Sequence, residues 1–132
     1  MKIHTKQIVI ADDDHEDIEM FQSALLETCP NHQLTVAKDG VSLLELLSEI
    51  SRPYAIVLDL NMPRKSGKQC LVEIRSKKEF ENVPIIILST SSQDGDIEYC
   101  LAEGATKYVV KPTSFPALKT ITQNICNGSL FN

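Results

Sequence analysis

Apolar residues gather in short runs separated by longer amphipathic stretches. The strongest runs are QIVIA (7–11), YAIVLDL (54–60), VPIIIL (83–88) and KYVV (107–110), with a weaker one, QLTVA (33–37), between the first two. They are rich in Ile and Val and apolar without strict alternation, as strands covered on both faces are. The intervening segments repeat apolar positions at helical spacing. Ile18, Phe21, Leu25 and Thr28 share one face after the first run, and Val41, Leu44 and Leu47, flanked by Leu43, Leu46 and Ile50, another after the second. Cys70, Leu71 and Ile74 follow the third strand in chain order, and Ile97, Cys100 and Leu101 the fourth. Phe115, Leu118, Ile121 and Ile125 close the chain behind Ser114, a candidate N-cap, with Pro116 tolerated in the first turn. Five strand–helix alternations predict an α/β fold, a parallel sheet joined by right-handed crossovers between two helix layers. No linker, repeat or low-complexity tract interrupts the pattern. One domain over residues 1–132 is expected, with a core of about 5–127 and residues 128–132 as a frayed tail.

Composition narrows the class. The 132 residues are 42% hydrophobic and 23% charged, a globular balance. No apolar stretch approaches the roughly 20 residues of a membrane span. MKIHTKQIVIADDD ends its apolar run in aspartates without a small-residue cleavage site, so it does not read as a signal peptide, and the cytoplasm is the default. The net charge of −5 argues against binding a nucleic-acid backbone. Cys29, Cys70, Cys100 and Cys126 lie far apart without a CxxC pair, which supports neither a zinc site nor a redox motif. Reduced core or helix-face thiols are expected.

The chemistry lies at the C-terminal tips of the strands. The first ends in Asp12, Asp13 and Asp14, the third in Asp59, the fourth in Ser89 and Thr90, and the fifth in Lys111. In an open parallel sheet these tips share one edge, where ligands bind. If the first and third strands are neighbours, their carboxylates meet. Two carboxylates about 4 Å apart repel by roughly 4 kcal/mol at an effective dielectric of about 20. Such a cluster raises its own pKa values or recruits a cation, and all-oxygen donors suit Mg²⁺ better than zinc. A carboxylate, a divalent ion, a hydroxyl and an ammonium together make a phosphoryl-accepting site. Asp59, alone at its tip on an apolar strand, is the better nucleophile. The adjacent Asp12 and Asp13 are better metal ligands, while Ser89 and Lys111 can meet the phosphoryl oxygens. Read singly, Asp14 is a helix cap, His15 an exposed first-turn residue, and Asp94, Asp96 and Glu98 a charge bias at a helix start.

IVIADDD, IVLDLNMP with Gly67, PIIILST and EGATKYVVKP, in this order and at these intervals, resemble the receiver domain of bacterial two-component response regulators, and of chemotaxis regulators in particular. The resemblance covers about residues 5–127. It implies the flavodoxin-like strand order 2-1-3-4-5, a property of the family rather than of the spacing. It also implies Asp59 as phosphoacceptor, Mg²⁺ (or Mn²⁺) held by Asp13 directly, by Asp12 mostly through water, by Asp59 and by the Asn61 carbonyl. Ser89 takes the position of a switch hydroxyl, Lys111 of a phosphate-pairing lysine and Tyr108 of a switch aromatic. The Lys111–Pro112 bond is expected to be cis. The implied partners are a sensor histidine kinase or phosphotransfer protein, and a downstream protein on the 94–126 face, with the chain a monomer or a weak phosphorylation-dependent dimer.

Some positions depart from the commonest pattern. Arg64, Lys65 and Ser66 stand where many relatives have a glycine, an apolar residue and an acid. Thr90 stands where Ala or Gly is frequent and is placed to affect phosphoryl access; Thr113 replaces an apolar residue. None removes a catalytic group. A phosphoacceptor signalling module is therefore expected, not an enzyme beyond slow self-catalysed phosphorylation and dephosphorylation. A phosphorelay intermediate, a phosphate sink and a phosphorylation-independent receiver are the alternatives within the family. A haloacid-dehalogenase-like phosphatase needs a second acid two residues after its nucleophile, where this chain has Asn61. A flavodoxin-like cofactor binder needs a phosphate loop unlike DDDHED.

Overall fold

The computed structural model describes residues 6–132, so residues 1–5, including the start of the expected core and most of the basic N-terminal segment, lie outside the described residues. The elements run β1 (Gln7–Ala11), α1 (His15–Thr28), β2 (Gln33–Ala37), α2 (Gly40–Glu49), β3 (Ala55–Leu58), α3 (Gly67–Arg75), β4 (Ile85–Ser89), α4 (Asp94–Ala102), β5 (Lys107–Val110) and α5 (Phe115–Cys126). Short 3-10 turns occupy Lys78–Phe80 and Ser129–Phe131. The strands form one parallel sheet in the order β2-β1-β3-β4-β5.

Both faces of the sheet are covered, which is why its central strands carry no polar alternation. Val9, Ala11, Ile56, Leu58, Ile85 and Ile87 face one core, closed by Leu43 and Leu47 of α2, Leu71 and Ile74 of α3, and Cys100 of α4. Ile8, Ile10, Ala55 and Val57 face the other, closed by Phe21 and Leu25 of α1 and Leu118 and Ile125 of α5. Four of the five α-helices among the described residues start where a side chain takes up a free N–H group; α4, behind Gln93, has no such cap. Asp14 accepts from Asp17 N–H, Asp39 from Ser42 N–H and Ser114 from Ala117 N–H, while Ser66 and Gln69 form a reciprocal capping box on α3.

Several expectations need correction. β3 stops at Leu58, so Asp59 and Leu60 lie just past the strand, whereas β4 runs on through Ser89. Leu101 is 47% exposed rather than part of the α4 core face. Residues 128–132 are not a frayed tail. They turn at Gly128, whose φ of 81° a Cβ would strain, and Phe131 packs on Tyr54 with ring centroids 5.6 Å apart. The Lys111–Pro112 bond is trans, since there is no cis peptide among the described residues. Trans is the ordinary isomer before proline, and Lys111 reaches its partners from it. Cys70 and Cys100 are buried free thiols as expected, but Cys29 and Cys126 are joined in a disulfide across 97 residues, with Cα atoms 6.4 Å apart. α1 and α5 pack on the same face of the sheet, so the end of one meets the end of the other. Spacing along the chain carries no trace of that meeting.

Candidate phosphoryl-accepting site

Strand register assembles the site. Ala11 pairs with Leu58 across β1 and β3, so the next residue on each chain, Asp12 and Asp59, stand side by side. Ser89 pairs with Val110 across β4 and β5, which sets Lys111 one step beyond Ser89. The tips are tied by backbone bonds: Asp59 N–H to Ala11 carbonyl at 2.9 Å, Asp12 N–H to Ala37 carbonyl at 3.0 Å, and Lys111 N–H to Ser89 carbonyl at 2.8 Å. Gly67 fixes the loop behind Asp59. A Cβ there would lie 2.1 Å from the Asp59 carbonyl oxygen, so no larger residue fits without displacing the backbone.

Asp12 and Asp59 are buried, at 2% and 6% exposure, while Asp13 is exposed. Carboxylate oxygens of all three lie within 4.8 Å of one another. Lys111 Nζ is 2.9 Å from Asp12, 2.7 Å from Asp17 and 3.5 Å from Asp59. Burial pushes the Asp59 carboxyl up to about 6; the Asp12 carboxylate adds to this, while Lys111 and the Asn61 and Leu60 N–H groups oppose it. Burial alone would lower Lys111, but its bonds to Asp12 and Asp17 and the nearby charges more than reverse that and hold it above the ordinary lysine range. Among the described residues the edge is short of positive charge: the Lys111 ammonium serves Asp12, Asp17 and Asp59, two of them buried, with Asp13 close by. Hard oxygen donors at this spacing fit a divalent cation of the magnesium class.

The remaining predicted residues surround this cluster. Ser89 is fully buried, and its hydroxyl accepts the Ser91 N–H at 3.2 Å. Thr90 is exposed at the same tip. Asn61 is exposed and lines a cavity of about 160 Å³ with Leu60, Ser66, Lys68, Ser91 and Asp96. The half-buried Tyr108 donates its hydroxyl to the Ser91 carbonyl at 2.8 Å, which ties the ring to the loop after Ser89. His15 stays outside the site, paired with Glu19 at 3.0 Å.

Contacts of Asp17, Asp96 and the RKSG segment go beyond what the sequence implied. Asp17, three residues after the cap Asp14, turns back over the tip and holds Lys111; helical spacing in DDDHED was the available signal. Asp96, read as a charge bias, pairs with Lys68 at 2.6 Å and accepts from the Ser91 hydroxyl. The RKSG segment serves the fold: Arg64 Nη2 bridges both Asp39 oxygens at 2.9 and 3.0 Å and reaches Ser42 at 3.0 Å, Lys65 pairs with Glu73, and Ser66 caps α3. Arg64 has φ 65°, the left-handed region that favours glycine, which explains the glycine common at this position.

Residues 8–123 match the response regulator receiver domain. Response regulator Rcp1 of Synechocystis is 27% identical over 126 residues, covering 91% of this chain and 86% of that protein. The sensor histidine kinase TmoS of Ectopseudomonas mendocina is 32% identical over 117 residues, 89% of this chain but 12% of the kinase. Among solved structures, the phosphorylated cyanobacterial phytochrome response regulator RcpA superposes with a TM-score of 0.85 at 30% identity, covering 92% of this chain and 91% of that one. The Mn²⁺-bound form of Rcp1 gives 0.83 at 27% identity, covering 95% and 94%. Receiver domains are phosphorylated on an aspartate by histidine kinases, bind Mg²⁺ or Mn²⁺ at their acidic pocket, and belong to signalling modules. The carboxylates that converge past β1 and β3 are thus where such a pocket belongs, and this chain is a member of the response-regulator receiver family.

Proposed function

We propose that Asp59 is the phosphoacceptor, and the observation that carries this is its carboxylate, buried beside Asp12 and Lys111 with an oxygen within 4.8 Å of one on the exposed Asp13. One Asp59 oxygen attacks the phosphorus of a phosphohistidine on a sensor kinase or phosphotransfer protein. The new O–P bond forms as the N–P bond breaks, and the imidazole leaves with its electron pair. The step needs the ionised carboxylate, and a pKa of about 6 leaves Asp59 mostly ionised at neutral pH. Asp12, Asp13, Asp59 and the Asn61 carbonyl would hold Mg²⁺ or Mn²⁺, which supplies the positive charge that an incoming phosphoryl dianion needs at this acidic edge.

Lys111 then exchanges part of its contact with Asp12 and Asp17 for a phosphoryl oxygen, and the Ser89 hydroxyl leaves the Ser91 N–H for another. Tyr108 follows because its hydroxyl is bonded to the Ser91 carbonyl. Thr90, exposed at the mouth, limits access to the phosphoryl group. The response is read on the 94–126 face, where Tyr99, Leu101 and Val110 stand 39%, 47% and 43% exposed. A downstream protein binds there, and the chain acts as a single receiver in the cytoplasm, as a monomer or weak dimer. No helix among the described residues is long and apolar enough to cross a membrane. The test is a beryllofluoride titration followed by backbone NMR. Shifts across residues 94–126 that require Mg²⁺ and vanish in Asp59→Asn are expected; shifts that persist in that variant refute the assignment.

A further inference from the structure

At the N-terminal edge of the sheet, opposite Asp59, a second group of metal-ligating side chains meets. Cys29 and His32 lie in the turn that leads from α1 into β2, closed by a bond from the His32 N–H to the Cys29 carbonyl at 3.0 Å. Cys126 ends α5. One ligand atom from each of the three lies within 4.8 Å of the others. Both ring nitrogens of His32 are buried without a hydrogen-bond partner. Buried polar atoms are nearly always satisfied, so an imidazole left with two free nitrogens beside two sulfurs needs an explanation.

We propose that, once the Cys29–Cys126 bond is reduced, Cys29 Sγ, a His32 nitrogen and Cys126 Sγ form a site for a thiophilic divalent cation of the zinc class. Tetrahedral Zn²⁺ with Zn–S near about 2.3 Å and Zn–N near about 2.0 Å sets its ligand atoms roughly 3.5–3.8 Å apart. The sulfurs must separate from bonding distance, and the third ligand already lies within reach. The surroundings favour the site. Cys29 Sγ lies 3.4 Å from Thr28 Oγ1, and Thr28 is itself bonded to Thr122 at 2.8 Å, which ties the end of α1 to α5. The Tyr54 hydroxyl donates to the Ile125 and Cys126 carbonyls at 3.1 Å each, which fixes the end of α5. Lys6 Nζ, 3.5 Å from the Cys126 carbonyl, adds positive charge that favours thiolates. A cavity of about 140 Å³ beside Cys29 and His32 leaves room for water as fourth ligand. On binding, two thiols release two protons and the ion takes both thiolates and the neutral imidazole. A reducing compartment keeps such pairs as dithiols, which is the state the cation requires.

The experiment uses the full chain with saturating Mg²⁺, which occupies the acidic pocket. A phosphine reduces the disulfide, being oxidised to its oxide with oxygen from water, and is removed without air. Co²⁺ is then titrated in, followed by Zn²⁺. The expected result is one Co²⁺ per reduced chain with a sulfur-to-cobalt charge-transfer band and tetrahedral visible bands, displaced by Zn²⁺, and no such band in the disulfide form. His32→Ala and, as a second variant, His32→Gln should weaken binding by at least roughly tenfold, while still forming the disulfide on oxidation, which reports a native meeting of α1 and α5. Cys70→Ser with Cys100→Ser should leave the band unchanged. Absence of the band in the reduced chain, undiminished affinity in both His32 variants, or loss of the band in the Cys70 and Cys100 variant would each overturn the proposal.

Discussion

Replacing Asp59 with Asn should stabilise the metal-free protein at neutral pH. The Asp59 carboxylate is 6% exposed, and its pKa stands at about 6 against an ordinary 3.8. That difference of roughly two units is worth about 3 kcal/mol. Because the folded pKa is raised, the native state binds the proton more tightly than the unfolded chain. The stability this provides is complete below the unfolded pKa of 3.8 and is lost as pH rises through about 6. That net shift already contains the opposing 3.5 Å contact to Lys111, so Asn, uncharged like the protonated acid, removes the whole of it. The gain is about 3 kcal/mol at about pH 7.5, or about 10 °C in Tm, and it has largely disappeared by about pH 4. Urea unfolding of both proteins in a chelator, at the two pH values, measures it. A variant no more stable than the parent at about pH 7.5, or equally favoured at about pH 4, refutes the claim that the fold holds this carboxylate at a cost.

Other substitutions probe the support around the acceptor. Lys111→Ala leaves buried Asp12 and Asp59 without their ammonium; it should cost about 3–5 kcal/mol in chelator, with Mg²⁺ restoring part, and denaturant midpoints with and without the ion read this out. Gly67→Ala drives a Cβ to 2.1 Å from the Asp59 carbonyl oxygen, so unfolding should come at least about 2 kcal/mol earlier and labelling by acetyl phosphate should fall with it. Arg64→Gly and Arg64→Ala both lose the Asp39 pair, but only glycine relaxes the φ of 65°. The glycine variant should therefore be about 1 kcal/mol the more stable of the two in the same urea assay.

What the sequence revealed and what it hid divide along physical lines. Unbroken apolar strands and amphipathic helices gave away the layers, because covering both faces of a sheet demands that pattern. The strand tips gave away Asp12, Asp59, Ser89 and Lys111, because a parallel sheet places all its C-terminal ends on one edge. Contacts between elements distant along the chain left no local mark. The Cys29–Cys126 bond depends on α1 and α5 sharing a face, and the hold of Asp17 on Lys111 depends on where the first turn of α1 points. In the sequence, Arg64 stood out only as a departure from the commonest family pattern. Its left-handed backbone and its bridge to Asp39 give it a role in the fold that only the meeting of α2 with the loop after β3 makes visible.

The central claim is that Asp59 receives the phosphoryl group, and mapping the acyl phosphate tests it most directly. The protein is incubated with acetyl phosphate and Mg²⁺, trapped with borohydride, which reduces an acyl phosphate to an alcohol, digested and sequenced by mass spectrometry. The account predicts a single conversion at Asp59, dependent on Mg²⁺ and absent from Asp59→Asn. Conversion at Asp12, Asp13 or any other carboxylate of the unaltered protein, with Asp59 left intact, would contradict it.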